Sequence, residues 1–149
     1  MSNEIKYLII LGVGCIVLFV GGLLVLKIRR KPNSFFLKKW NNIQNLCLTK
    51  SEWYKAIIDA DNLLDEVLRN RRYSGSTTGE RMVSAQKVFT NNANLWISHN
   101  FRKKVQEKNI TKFKKKEMVS IMQNYKQALI DLGVLSAHQL ERAKDHHVK

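Results

Sequence analysis

The sequence predicts an all-α protein that joins one N-terminal transmembrane helix to a four- to five-helix bundle. Two observations carry this prediction. Tyr7 to Leu26 form a run of twenty residues without a charge, and at about 1.5 Å per residue such a helix is long enough to cross the hydrocarbon core of a bilayer. After Pro32, apolar residues recur at steps of three and four instead of alternating, which is the period of amphipathic helices.

The apolar run Tyr7–Leu26 has two other interpretations. A cleaved signal peptide carries its positive charge before a shorter apolar core and ends in small residues, whereas here the run ends in LLVL and the basic residues follow it. A core helix of a soluble domain would show a polar stripe, and this run is apolar all round. An uncut anchor is therefore the favoured interpretation.

Charge asymmetry predicts the orientation of this anchor. Lys6 stands beside Glu4 before the run, and four basic residues follow it within five positions. Because cytoplasmic flanks carry the excess of Lys and Arg, we expect a single-pass protein of the cell membrane with its N-terminus outside and its C-terminal domain in the cytoplasm. The flanking residues, which would face the lipid bilayer, are Lys27, Arg29, Arg30 and Lys31.

Three segments follow from this pattern: residues 1–31 as the anchor with its basic flank, residues 32–135 as the bundle, and residues 136–149 as a short helix and polar tail. An apolar content of 44%, with three Trp and six Phe, is sufficient for one core. Cys15 lies in the predicted span and Cys47 in the bundle, so no disulfide is expected. The formal net charge of +14 favours an anionic partner.

The first predicted helix of the bundle begins with Asn33 or Ser34 as its cap, and the second begins at Thr49. Thr49 and Glu52 have the spacing of a capping box, in which two side chains bind the free amides of the first turn. The second helix is expected to extend to about Arg72. Its apolar residues form one stripe, which comprises Trp53, Ala56, Ile57, Ala60, Leu63, Leu64, Val67 and Leu68.

Asp61 falls on the apolar side of the second predicted helix, with Ile57 and Leu64. An unpaired buried carboxylate costs several kcal/mol or is neutralised by protonation. Asp61 therefore either has a partner or occupies a boundary position that reaches water, and the sequence leaves both possibilities open.

Three more helices are predicted after the polar segment 69–80. Thr77 and Glu80 repeat the capping pattern at the start of the third helix. The fourth helix is expected to extend from about Ala93 to Glu107. The fifth is expected to stop at Gly133, because glycine is the residue that most commonly caps the C-terminus of a helix. The third helix is expected to carry Met82, Val83, Val88 and Phe89. The apolar stripe of the fifth comprises Met118, Ile121, Met122, Tyr125, Ala128, Leu129 and Leu132.

Basic residues concentrate between the fourth and fifth helices, where Glu107 is the only acidic residue between Arg102 and Lys116. Such a strip can neutralise the phosphates of RNA, lie against anionic lipid head groups, or serve as a solvated face. The sequence leaves these three interpretations open. The lysines predicted to contact an anionic partner are Lys103, Lys104, Lys108, Lys112, Lys114, Lys115 and Lys116.

The sequence contains no local catalytic or metal-binding motif. His99 and His138 stand alone, and Cys47 has no second cysteine near it, so no set of residues has the spacing of metal ligands. Neither GxSxG nor HExxH is present. We therefore expect no cofactor, no metal and no small-molecule substrate.

Four short segments of the bundle carry a resemblance to a known family. They are AIIDADNLLDEVL (Ala56–Leu68), STTGERM (Ser76–Met82), LWISHNFRKKV (Leu95–Val105) and YKQALIDLG (Tyr125–Gly133). In order and type they resemble small bacterial proteins that join one N-terminal membrane helix to a HEPN-like helical domain. The resemblance covers Phe36 to Leu135. It implies a HEPN-like bundle of four or five helices, a fold that commonly forms homodimers.

Many HEPN domains are ribonucleases whose signature is an arginine, commonly followed by a polar residue, with a histidine four to six residues beyond it. Arg102 matches the arginine, but Lys103 replaces the family's asparagine and Glu107 stands at the histidine position. Histidine suits proton transfer near neutral pH, whereas an exposed glutamate is mostly ionised. The signature is thus broken, and Arg102 is instead expected to pair with Asp61 or Asp65 across the bundle.

The sequence therefore predicts a non-enzymatic binding or scaffolding module that faces the cytoplasm. Its basic surface would contact anionic lipid, nucleic acid or a protein partner. The alternative is a membrane-tethered HEPN-type ribonuclease with a degenerate active site, for which Arg102 and His99 are the candidate catalytic residues.

Overall fold

The computed structural model describes residues 34–108, 110 and 112–136, without the side chain of Lys108. Regular structure in this part of the chain is helical, with no strand, so the predicted helical bundle is confirmed. A single turn of 3-10 helix, Lys50–Glu52, precedes the second helix. The helices are α1 (Ser34–Leu46), α2 (Trp53–Asn70), α3 (Thr78–Ser84), α4 (Asn92–Lys108) and α5 (Lys115–Asp131).

Helix α2 is the centre of the bundle, since it contacts each of the other four helices. The apolar stripe predicted for it is buried from Ala56 to Leu68, whereas Trp53 at its start is half-buried. Side chains from the surrounding helices close over this stripe, including Trp40, Met82, Leu95 and Leu129. Each such side chain contributes about 1.5–3 kcal/mol on burial, so α2 holds the bundle together.

The transmembrane helix in the predicted fold class needs correction. Within the described ranges, no helix is both long enough and apolar enough to cross a membrane. The longest of them, α2, has 18 residues and carries charged side chains along its length, as expected of an amphipathic helix with one face in water. The predicted span Tyr7–Leu26 and its flank Lys27, Arg29, Arg30 and Lys31 lie outside the described residues.

The capping box predicted at Thr49 is wrong. The backbone amide of Glu52 donates to the carbonyl oxygen of Thr49 at 3.0 Å, which closes a 3-10 turn. This is the amide that the Thr49 side chain would have bound, and that side chain makes no capping hydrogen bond. The α-helix therefore begins at Trp53, four residues later than predicted.

The third helix begins as predicted but is shorter. Thr77 Oγ1 accepts a hydrogen bond from the Glu80 amide at 3.2 Å and caps the helix. Helix α3 ends at Ser84, and a turn closed by the Val88 amide and the Ala85 carbonyl brings Phe89 into the core. Val83 and Val88 are exposed. Of the four apolar residues predicted for the third helix, only Met82 and Val83 lie on it, because Val88 and Phe89 follow its end.

The fifth helix ends at the predicted glycine. Gly133 has a φ of 69°, a left-handed conformation that glycine adopts without steric cost. Its amide donates to the Ile130 carbonyl at 2.8 Å, and the Val134 amide donates to the Leu129 carbonyl at 3.1 Å. These are the two hydrogen bonds of a Schellman motif, which turns the chain so that Val134 and Leu135 are buried.

Candidate functional site

A buried carboxylate lies where three helices meet. Asp61, on α2, is fully buried among the apolar residues of that helix. Its Oδ1 lies 2.7 Å from Nδ1 of His99 on α4 and accepts a hydrogen bond from the Tyr125 hydroxyl on α5 at 3.1 Å. The sequence left open whether Asp61 has a partner or reaches water, and the structure places it in the interior with partners.

Arg102 contributes a positive charge to the other oxygen of Asp61. Its Nε lies 3.0 Å from Asp61 Oδ2, and 20% of its side chain is exposed. Neither of these two atoms makes an aligned hydrogen bond to any described residue, so the contact is an ion pair. His99 and Arg102 are three residues apart and therefore lie on the same side of α4. We call Asp61, His99, Arg102 and Tyr125 the Asp61 cluster.

Asp65, the other acid considered as a partner for Arg102, is engaged elsewhere. Its Oδ1 accepts hydrogen bonds from Arg81 Nε and Nη2 at 2.9 and 2.7 Å, and its Oδ2 lies 3.1 Å from Arg69 Nε. Arg81 also donates to the Gly75 carbonyl at 2.6 Å. This arginine thereby fastens the loop before α3 to the central helix, a role that the sequence analysis missed.

The environment of Tyr125 raises the pKa of its hydroxyl well above the ordinary value. Burial is the main cause, followed by the negative charge of Asp61 and the hydrogen bond that the hydroxyl donates to it, while Arg102 acts in the opposite direction. Burial and a nearby anion both disfavour the phenolate. Tyr125 is therefore held as a neutral hydrogen-bond donor.

His99 is enclosed on its remaining sides. Its ring meets Trp96 edge to face, with the centroids 5.8 Å apart, and only 2% of the residue is exposed. A Cβ atom added to Gly79 of α3 would lie 3.3 Å from Trp96 and 3.9 Å from His99 Nε2. Helix α3 thus covers the imidazole. Glu107, which stands where the HEPN signature has its histidine, is exposed.

The chemistry of the Asp61 cluster is that of a structural network. Buried polar groups are tolerated when they have partners. Here one carboxylate contacts an imidazole nitrogen of α4, accepts a hydrogen bond from a hydroxyl of α5 and pairs with a cation. A general acid or base must come within hydrogen-bond reach of its substrate, and the enclosure of His99 leaves its ring little surface for this. The signals that could have identified this network are the three-residue spacing of His99 and Arg102 and the single hydroxyl in the α5 stripe.

The predicted anion-binding lysines lie at one end of the α4–α5 hairpin. Lys103 and Lys104 are near the end of α4, and Lys112 and Lys114–Lys116 lie before or at the start of α5. The side chains of these six lysines are exposed, and no salt bridge joins any of them to an acid in the described part of the chain. The side chain of Lys108 lies outside the described residues.

An aromatic cluster holds this end of the hairpin in place. The ring of Phe113 lies 5.4 Å from Phe101 and 6.0 Å from Trp53, measured between centroids. Trp53 Nε1 in turn donates to the Cys47 carbonyl at 2.9 Å. The residue that follows Cys47 in the sequence, Leu48, is 84% exposed. We call the six exposed lysines together with Leu48 the lysine-rich end.

No group of three or more His, Cys, Asp or Glu residues in the described ranges could hold a metal ion. The chain matches no protein-family model, no curated protein and no solved structure. The resemblance to HEPN-like proteins thus stays an expectation that rests on the four sequence segments.

Proposed function

We propose that this protein is a non-enzymatic binding module whose lysine-rich end docks on the anionic cytoplasmic face of the cell membrane. The single observation that carries the proposal is the gathering of six exposed lysines without acidic partners at one end of the described bundle. The negative surface potential of the cytoplasmic leaflet attracts such a surface.

The expected strength follows from the charges. A lysine near an anionic membrane contributes about 1 kcal/mol, so four lysines in contact supply about 4 kcal/mol, which corresponds to millimolar affinity. Insertion of Leu48 adds about 1.5–3 kcal/mol. Docking through this end is therefore weak and reversible, and it depends on salt because the Debye length is only about 8 Å at physiological ionic strength.

Lipid is favoured over RNA as the anionic partner because of the apolar groups near the lysines. Proteins that bind single-stranded RNA offer free aromatic faces on which bases stack. Here Phe113 packs against both Phe101 and Trp53, and all three side chains are half-buried. Leu48 is instead an aliphatic side chain with 84% of its surface exposed, which suits insertion between lipid head groups.

The test is binding of the full chain to vesicles and to a short structured RNA across a salt series. One variant replaces Lys114, Lys115 and Lys116 with Ala, and a matched control replaces the exposed lysines Lys38, Lys55 and Lys87. Both variants retain Tyr7–Leu26 and lose the same charge, so a difference between them reports on the position of the lysines. We expect at least about tenfold weaker binding to anionic vesicles for the first variant, because three lysines contribute up to about 3 kcal/mol and a tenfold loss requires only about 1.4 kcal/mol. The control should change little.

Two outcomes would overturn this proposal. Binding to RNA with a steep salt dependence, without lysine-dependent binding to vesicles, would make nucleic acid the partner. If both triple variants lost vesicle binding equally, the binding would depend on net charge and not on the position of the lysines. The same RNA samples test the ribonuclease alternative: cleavage by the full chain that disappears in Arg102→Ala would establish an enzyme, whereas we expect the RNA to stay intact.

A further inference from the structure

A groove between α1 and α5 has only Lys115 in common with the lysine-rich end. It encloses a cavity of about 270 Å³. Its floor is apolar, because Trp40, Met118 and Met122 are buried there, and Trp53 borders it at the start of α2. Methionine adapts its shape to irregular partners and is common on binding surfaces. The floor therefore offers an apolar surface that can accept inserted side chains.

Two features of this groove indicate that its surface is not fully used within the bundle. Val119 lines it and is 45% exposed. Trp40 also lines it and is only 1% exposed, yet its indole N–H has no hydrogen-bond partner among the described residues. Buried indole N–H groups usually find an acceptor. The groove therefore has one exposed apolar side chain, and beneath it lies an indole nitrogen that is buried without a partner in the described part of the chain.

The charges at the rim of the groove are all positive. Lys115 and Lys126 line it, and no Asp or Glu does so among the described residues. The two lysines are eleven residues apart on α5, about three helical turns, which places them on the same face of the helix about 16 Å from each other. Val119 and Met122 lie between them. Helix α5 thus presents an apolar stripe with a cation at each end.

We propose that this groove binds an acidic amphipathic helix of another protein, with apolar side chains on Trp40, Met118 and Met122 and carboxylates at Lys115 and Lys126. Helices commonly bind in this way, through apolar side chains spaced along one face. The cavity is slightly smaller than the range of about 300–1,000 Å³ typical of small-molecule pockets, which favours insertion of a few side chains. The net charge of +14 disfavours a second copy of this chain as the occupant.

The test uses the full chain and a labelled synthetic helix that carries leucines on one face, with glutamates at the spacing of Lys115 and Lys126. Binding is followed by fluorescence anisotropy. We expect saturable binding that falls at least about tenfold in the double variant Lys115→Glu, Lys126→Glu, because like charges then meet at both ends. A second peptide with lysines in place of the glutamates should bind that double variant better than it binds the parent chain.

Matched variants separate the groove from net charge and from the lysine-rich end. Lys103→Glu with Lys104→Glu makes the same charge change on α4 and should leave peptide binding within about twofold of the parent, since distant surface charges are largely screened. Val119→Trp fills the groove without changing charge and should weaken binding. Equal weakening in both charge variants, or no recovery with the lysine peptide, would overturn the proposal. Peptide binding that survives replacement of the peptide's leucines by serine would also overturn it. So would self-association of the chain that excludes the peptide from the groove.

Discussion

Asp61 shows how a charged residue is accommodated in the core of this bundle. Ionised carboxylates are almost never fully buried unless they are paired, and Asp61 has no exposed surface. His99 and Tyr125 meet one of its oxygens and Arg102 the other. Because these partners come from α4 and α5, one side chain on α2 links three helices, and its removal would leave several polar groups in the interior without a partner.

We expect Asp61→Ala to lower the free energy of unfolding by about 3–5 kcal/mol, the usual cost of breaking a buried ion pair from one side. Arg102→Ala should cost a similar amount, because it leaves the fully buried Asp61 carboxylate without its cation. The loss in the double variant should be smaller than the sum of the two single losses, since residues in one network couple. Chemical denaturation of the four chains measures this difference.

Arg69→Ala serves as the control for loss of an arginine. Arg69 pairs with Asp65 four residues away on α2, and its side chain is largely exposed, so we expect a loss below about 1 kcal/mol. Additive losses for Asp61→Ala and Arg102→Ala would show that the two residues do not act as a pair.

Tyr125 should give the stability of the protein a dependence on alkaline pH. The pKa of its hydroxyl is raised in the folded state, so the folded protein holds this proton more tightly than the unfolded chain does. The stabilising contribution is complete below the unfolded pKa of about 10 and is lost as the pH rises from there towards the folded pKa. Tyr125→Phe should be less stable by about 1 kcal/mol near neutral pH, and its stability should fall less steeply above about pH 10.

Urea midpoints measured across this pH range for the parent and the variant test the prediction. Tyr54→Phe is the control, because Tyr54 is exposed. Parallel curves for the parent and Tyr125→Phe would contradict the assignment of this titration to Tyr125.

At the scale of single helices, the chain contains two threonines with the same capping spacing and different roles. Thr77 caps α3 through its side chain, whereas the side chain of Thr49 makes no such bond. We expect Thr77→Ala to cost about 1 kcal/mol and Thr49→Ala to stay within about 0.5 kcal/mol, as substitutions away from such features usually do. Thermal or chemical unfolding of the two variants measures this, and equal losses would contradict the distinction.

The start of α3 could be predicted from the sequence, and its end could not. A side-chain cap needs only residues a few positions apart, and for Thr77 the signal was sufficient. The end of α3 at Ser84 depends on Phe89 reaching the core through a turn, which is set by distant packing. Val83 and Val88 were predicted to belong to the third helix, but Val88 lies beyond its end and both side chains are exposed.

At the largest scale, the described bundle carries the two interaction surfaces proposed above, which differ in charge and in apolar character. The lysine-rich end comprises six exposed lysines and the exposed Leu48, and the groove between α1 and α5 has an apolar floor with two cations at its rim. Lys115 belongs to both. The proposed membrane docking and the proposed binding of an acidic helix therefore share this residue. The control lysines separate the two proposals, because Lys103 and Lys104 belong only to the lysine-rich end, and Lys38, Lys55 and Lys87 belong to neither surface.

The sequence by itself determined the helical class, the central stripe of α2, the apolar face of α5 and its end at Gly133, because these depend on a period of 3.6 residues and on local conformation. It also determined the basic character of the α4–α5 connection. Only the tertiary structure decided that His99 and Tyr125 join Arg102 at Asp61, that Asp65 belongs to Arg81, and that Trp40 meets the face of α5 across a groove. Such contacts join residues tens of positions apart, and their geometry is set by how the helices pack, which no local pattern encodes.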